Sequence, residues 1–180
     1  AWQGVAAGPN NTVRALAVFD DGRGAALYVG GDFSAVGANV AKGLARWNGQ
    51  SWEEVGGGVL RERPGCGGSS GAVHALRVFD DGSGPALFVA GALRSAGGLA
   101  TDLVARWSGS GWAAVGAPST ECSAGGIVRA LEAFGPPGAR RLHAAGNFNS
   151  LGGSAAASIA RWENGSWHGL DGGVGRQTLY

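Results

Sequence analysis

The sequence predicts an all-β fold assembled from three four-stranded antiparallel units, and three observations lead there. The first is an internal repeat. Val13-Arg14-Ala15-Leu16 recurs as Val73-His74-Ala75-Leu76 and Val128-Arg129-Ala130-Leu131, and Leu27-Tyr28-Val29-Gly30-Gly31 as Leu87-Phe88-Val89-Ala90-Gly91 and Leu142-His143-Ala144-Ala145-Gly146. Ala45-Arg46-Trp47, Ala105-Arg106-Trp107 and Ala160-Arg161-Trp162 are each followed five residues later by Trp52, Trp112 or Trp167. The second is constancy of length. Val13 to Trp52, Val73 to Trp112 and Val128 to Trp167 each span 39 residues, whereas the distances from a Trp to the next Val are 11, 21 and 16. Rigid units joined by elastic surface loops behave this way. The third is local chemistry: the segments are short, rich in β-branched and aromatic residues, and bounded by turn formers.

The elements follow in order. Trp2-Gln3-Gly4-Val5 repeats the surroundings of Trp52, so residues 1–12 read as an extra N-terminal strand, the outer strand of a preceding unit, and a loop. Unit one, residues 13–56, begins with a strand from Val13 to Phe19 that the Asp20-Asp21-Gly22 turn ends. A second strand runs from Ala26 to Gly30. After a loop containing Gly37, a third runs from Gly43 to Trp47, and the Asn48-Gly49 hairpin leads to a fourth from Ser51 to Val55. Units two (73–116) and three (128–171) repeat the order, and 172–180 is a tail or the start of a further repeat. Ala15-Leu16-Ala17-Val18 is continuously apolar, as expected of a strand covered on both faces. Four short antiparallel strands in about 50 to 60 residues describe one blade of a β-propeller.

The pattern resembles kelch-type propellers, the group that includes the galactose-oxidase-like domains. There a Leu-Tyr-Val strand ends in a Gly-Gly pair and an aromatic precedes a Trp across the next hairpin, the order shown by Leu27 to Gly31 and Trp47 to Trp52. The tandem spacing is similar to arrays in large secreted bacterial proteins and in fungal cortical-marker proteins. Two features depart from the family pattern. The diglycine becomes Ala90-Gly91 and Ala145-Gly146, and Trp stands where Tyr is usual before the second Trp. The resemblance implies propeller blades and leaves the ligand open.

A closed propeller needs about four to eight blades. Three blades and a spare strand would leave two flat apolar faces in water, so the expected partner is a second copy or further blades of the same array. The sequence has no Met, even at position 1, and reads as a processed product or an excerpt.

Composition narrows the function classes. Glycine occupies 36 of 180 positions, several times its usual share of about 7%. Seven tryptophans and 44% apolar residues nevertheless argue against disorder. A net charge of +1 gives no case for nucleic acid, and no apolar run is long enough for a membrane span. Cys66 and Cys122 lie in the variable inter-unit loops and outside any Cys-x-x-Cys pair, which disfavours zinc. A disulfide between them implies an extracellular or periplasmic location, the alternative being two unrelated free thiols.

Candidate residues fall into two groups. The six tryptophans Trp47, Trp52, Trp107, Trp112, Trp162 and Trp167 and the arginines Arg46, Arg106 and Arg161 occupy constant slots and read as structural. No acidic residue recurs in all three units, so the expected acceptors of the arginines are backbone carbonyls, with stacking on the Trp rings. The repeated Asp-Asp-Gly could suggest calcium, but Gly135-Pro136-Pro137-Gly138 fills the same slot in unit three, so turn chemistry is the simpler reading. His143 takes the slot of Tyr28 and Phe88 and should pack as an aromatic. By contrast, Arg14, His74 and Arg129 share a slot that varies, as do Asp32, Ala92 and Asn147, and Ser34, Arg94 and Asn149. With Arg61 and Arg63 in the longest loop they form a polar rim of the kind a ligand or partner would use.

No nucleophile, acid pair or metal cluster accompanies His74, so a catalytic triad is unsupported. A copper site of the galactose-oxidase kind would need tyrosine ligands, and only Tyr28 and Tyr180 exist. Asn10 and Asn164 open N-x-Ser/Thr glycan acceptors, relevant only in a eukaryotic secretory route. The expectation is a secreted, non-enzymatic interaction and assembly module without cofactor or metal. A sugar-binding lectin is the alternative, and a fragment of a secreted enzyme the weaker one.

Overall fold

The computed structural model describes residues 7–66, 70–122, 125–136 and 138–170. The expected strand around Trp2 and the tail from 172 onward lie outside them. Repeat one forms β1 (Val13–Asp20), β2 (Ala25–Gly31), β3 (Ala35–Val36), β4 (Asn39–Val40), β5 (Leu44–Trp47) and β6 (Trp52–Glu54). After β7 (Val59–Leu60), repeat two forms β8 (Ala72–Asp80), β9 (Pro85–Ala92), β10 (Ser95–Ala96), β11 (Leu99–Ala100), β12 (Val104–Trp107) and β13 (Trp112–Ala114). Repeat three forms β14 (Ile127–Phe134), β15 (Arg141–Asn147), β16 (Ser150–Leu151), β17 (Ser154–Ala155), β18 (Ile159–Glu163) and β19 (Ser166–Gly169). Among the described residues every element is a strand.

Each repeat makes one antiparallel sheet in which the four expected strands are neighbours in chain order: β1-β2-β5-β6, β8-β9-β12-β13 and β14-β15-β18-β19. What was expected as a plain loop around Gly37 is a small hairpin, β3–β4, repeated as β10–β11 and β16–β17. Two-residue turns close all three, led by Gly37, Gly97 and Gly152 at φ of 57°, 57° and 55°. That left-handed conformation favours glycine. The glycine ending the Leu-x-Val strand has a different cause. A Cβ on Gly31, Gly91 or Gly146 would stand 2.0, 1.9 or 2.1 Å from the backbone carbonyl oxygen of Thr12, Ala72 or Ile127. This explains why that position never varies while the one before it becomes Ala.

Adjacent sheets bury their apolar faces against each other. Phe19, Ala26, Tyr28 and Leu44 of the first sheet pack with Val73, Leu87, Val89 and Trp107 of the second. The opposite face of the second sheet, with Phe88, Ala90 and Val104, packs with Val128, Leu131, Leu142 and Trp167 of the third. Two indole hydrogen bonds reinforce this stacking: Trp112 Nε1 donates to the Gly56 carbonyl and Trp167 Nε1 to that of Val115, both at 2.9 Å. The paired tryptophans of each hairpin meet at ring-centroid distances of 5.1, 5.3 and 5.3 Å. His143 packs edge-on against Phe134, as an aromatic in that slot should.

The expectation of two covered faces on every sheet holds for the middle one only. In the first sheet Leu16 and Val18 stand 60% and 68% exposed.

The repeated arginines correct a second expectation, because their partners are carboxylates. Buried Arg46 lies 3.1 Å from Glu53 and 3.4 Å from Asp21, and also donates to the Gly24 carbonyl. Arg106 pairs with Asp81 and Arg161 with Glu163, at 2.9 and 2.8 Å. The acid comes from a different slot in repeat three, so demanding one recurrent acid hid the pattern.

The two aspartates of the turn therefore divide the work. Asp20 accepts from the backbone N–H groups of Gly22 and Gly24 and shapes the turn. Asp21 is buried, which pushes its carboxyl up. Hydrogen bonds from Arg23 and Tyr28 and the charge of Arg46 outweigh that and hold it at about 2.

Cys66 and Cys122 form a disulfide with their Cα atoms 5.6 Å apart, tying the two inter-repeat loops together. In the chain-entropy model a closure of this span contributes about 4 kcal/mol.

Burial separates the three arginines experimentally. Arg46→Ala removes the buried partner of the Asp21 and Glu53 carboxylates, leaving them only the exposed Arg23, and should cost about 3 kcal/mol in denaturant unfolding. Arg161→Ala, whose side chain is 41% exposed, should cost under about 1 kcal/mol. Equal losses would contradict this division.

Candidate functional site

The expected polar rim is built by a backbone device. The pairing of β1 with β2 slips between Val13 and Ala15, that of β8 with β9 between Val73 and Ala75, and that of β14 with β15 between Val128 and Ala130. Each slip is a β-bulge, and the extra residues are Arg14, His74 and Arg129. A bulge leaves its residue out of the ladder and re-aims its side chain, often at a binding site. The three bulged strands neighbour one another, β8 in the middle.

Arg14 Nε donates to Asp32 Oδ2 at 2.8 Å, and its Nη2 makes a second, shorter contact with the same oxygen. The pair raises the Arg14 guanidinium and lowers the Asp32 carboxyl. His74 feels three charges at once. Burial lowers its pKa first, then the cation of Arg14; Asp32 raises it and Arg129 lowers it again. Arg129 is exposed and forms no ion pair among the described residues. A half-buried imidazole on the middle of three adjacent bulged strands thus feels two guanidiniums and one carboxylate, a group suited to receive an acidic group from a partner.

Two other rim candidates are committed elsewhere. Arg94 is buried, 6% exposed, in an ion pair with Asp102, whose other oxygen accepts from the Gly152 N–H at 2.8 Å. It is a structural anchor between the hairpins of repeats two and three. Arg63 is likewise committed: its side chain donates to the Thr120 carbonyl and its N–H to that of Cys122, both at 2.8 Å. Arg61 is exposed in the same disulfide-tethered loop, and Asn147 is exposed at the end of β15 opposite Ile127.

The tryptophans divide too. Trp107 and Trp167 are buried, whereas Trp47, Trp52, Trp112 and Trp162 keep part of their surface open. Among the described residues no cluster of three or more His, Cys, Asp or Glu side chains could hold a metal, and no helix could cross a membrane.

Sequence reasoning missed Asp102, whose role needs a partner in another repeat. It also missed Arg140, Arg141, Glu163 and Asn164, which line a cleft between the second and third sheets. A signal existed, since all four replace small or uncharged residues of the other repeats. No protein-family model, curated protein or solved structure matches the chain.

The rim makes a signed prediction. Asp32→Asn should lower the His74 pKa further, and Arg129→Ala should move it up toward its ordinary value of about 6.5, as read by NMR titration. Because folded His74 resists protonation, its share of stability is lost as pH falls through the ordinary histidine range. An imidazole that titrates identically in both variants would show that these side chains do not converge.

Proposed function

We propose that this chain is a segment of a secreted, non-enzymatic β-propeller that acts as an interaction and assembly module. One observation carries the reading: a slot covered at both internal interfaces is open at the first sheet. Leu131 is 7% exposed beneath the second sheet, and Leu76 packs against the first, yet Leu16 in the same slot is 60% exposed. At the opposite end Phe134 is 74% exposed, although its counterpart Phe19 is 5% exposed.

Flat apolar sheet faces in water favour being covered. Another blade of the same kind suits the first face. A second copy, or further blades of one array, would supply the apolar surface that covers Leu16 and Val18. The bulge residues Arg14, His74 and Arg129 would then lie on the innermost strands, at one mouth of the channel, facing a ligand or partner.

Light scattering should find the isolated chain in complexes larger than a monomer, with a mass that rises with concentration. The double variant Leu16→Glu, Val18→Glu should be monomeric and should melt as the wild type does when diluted to monomer, because both side chains are exposed within one copy. A wild-type monomer at every concentration would overturn the proposal.

A further inference from the structure

Repeat three departs from the other two at four neighbouring slots. Ala25 and Pro85 become Arg140; Ala26 and Ala86 become Arg141; Asn48 and Ser108 become Glu163; Gly49 and Gly109 become Asn164. The fold does not require this, since repeats one and two build the same sheet with small or uncharged residues there. All four line one cleft of about 820 Å³ between the second and third sheets, where Phe79 and Trp162 supply the aromatic surface.

The equivalent space between the first and second sheets is closed. There the β12–β13 hairpin lies directly on the preceding turn, so that a Cβ on Gly109 would stand 2.3 Å from the Asp21 carbonyl oxygen. Trp107 beneath it is 7% exposed. The β18–β19 hairpin is built differently. It runs one pair further, to Glu163 opposite Ser166, and turns on Asn164 and Gly165 at φ of 51° and 78°. Trp162 is partly exposed and lines the cleft.

The cleft's polar groups are of two kinds. Asp81 is held 2.9 Å from Arg106, and Glu163 is held by Arg141 at 3.1 Å and Arg161 at 2.8 Å. Their ion pairs fix these carboxylates in position, with lone pairs left to accept further donors. Arg140 differs, since its guanidinium makes no ion pair or hydrogen bond among the described residues. A partly exposed indole beside fixed carboxylates matches a pyranose, which stacks its C–H face and donates hydroxyls. Counting Arg161 with its partner, four guanidiniums (Arg106, Arg140, Arg141, Arg161) stand against three carboxylates (Asp80, Asp81, Glu163), and the one cation in excess calls for one carboxylate on that sugar.

We propose that this cleft binds an acidic oligosaccharide, a uronate ring lying on Trp162 with its carboxylate on Arg140 and its hydroxyls on Asp81 and Glu163. Both walls belong to one chain, so the site is complete whether or not copies assemble.

The test is calorimetric titration of the disulfide-bonded chain with trimers of galacturonate, glucuronate and mannuronate. Galactotriose serves as the uncharged match and pentaglutamate as the acidic peptide. At least one tri-uronate should bind, galactotriose about tenfold more weakly or not at all, and Arg140→Ala should weaken the uronate by about tenfold. The Trp162 indole resonance should shift on binding. Glu163→Gln, which leaves Arg140 and Trp162 in place, should also bind more weakly, and both variants should melt as wild type does. The proposal is overturned if no tri-uronate binds at millimolar concentration, or if binding is indifferent to Arg140. It is overturned equally if pentaglutamate alone binds through Arg140, which would make the cleft a peptide site.

Discussion

An indole N–H that reaches out of its own sheet into the one before it is the contact on which the arrangement of the repeats depends. Trp112 and Trp167 sit on the last strands of repeats two and three and donate to the carbonyls of Gly56 and Val115, just beyond the last strands of repeats one and two. The Val115 carbonyl is buried at its junction and needs a donor, so a displaced sheet would leave it and the Trp167 indole unpaired, whereas Gly56 is exposed and its bond is the weaker of the two. The bond therefore sets how far one sheet slides on the next, and the apolar slots meet in register. Each sheet buries apolar residues against its neighbour, so the repeats share their cores.

Within that frame the polar residues carry the differences between repeats. Arg46, Arg106 and Arg161 keep one position, while their partners shift from Asp21 and Glu53, to Asp81, to Glu163. The change follows the cleft: with Gly109 the hairpin shuts against its neighbour, and with Asn164 and Glu163 it stands away from it. The three bulges act in a comparable way at the other end of the first strands, holding the backbone constant while Arg14, His74 and Arg129 differ. The framework and its variable groups thus occupy separate positions in the repeat.

The four main strands of each repeat and their order were legible in the sequence, because spacing and turn chemistry are local and were sampled three times; the Cys66–Cys122 bond was one of two open readings, since each cysteine occurs once in a variable loop. The β3–β4 hairpin was not, since two-residue strands leave almost no periodicity and only Gly37 marks the turn. Arg94 was misplaced at the rim because its partner Asp102 lies across a hairpin and has no counterpart in the other repeats. The carboxylate partners of the repeated arginines were missed for a related reason: the same electrostatic need is met from different slots. Where repeat three breaks the pattern at Arg140 and Glu163, the departure was visible, but the cleft that gives it meaning exists only once two sheets are stacked.

The most direct test of this account is hydrogen–deuterium exchange at the indole nitrogens of the assigned tryptophans. If the inter-sheet bonds fix the stack, the Nε1–H of Trp112 and Trp167 should exchange only as fast as the sheets separate, slowed by orders of magnitude relative to a free indole. Exchange of those two protons at the rate of an exposed indole, under conditions where the backbone amides of β9 and β15 remain protected, would contradict it.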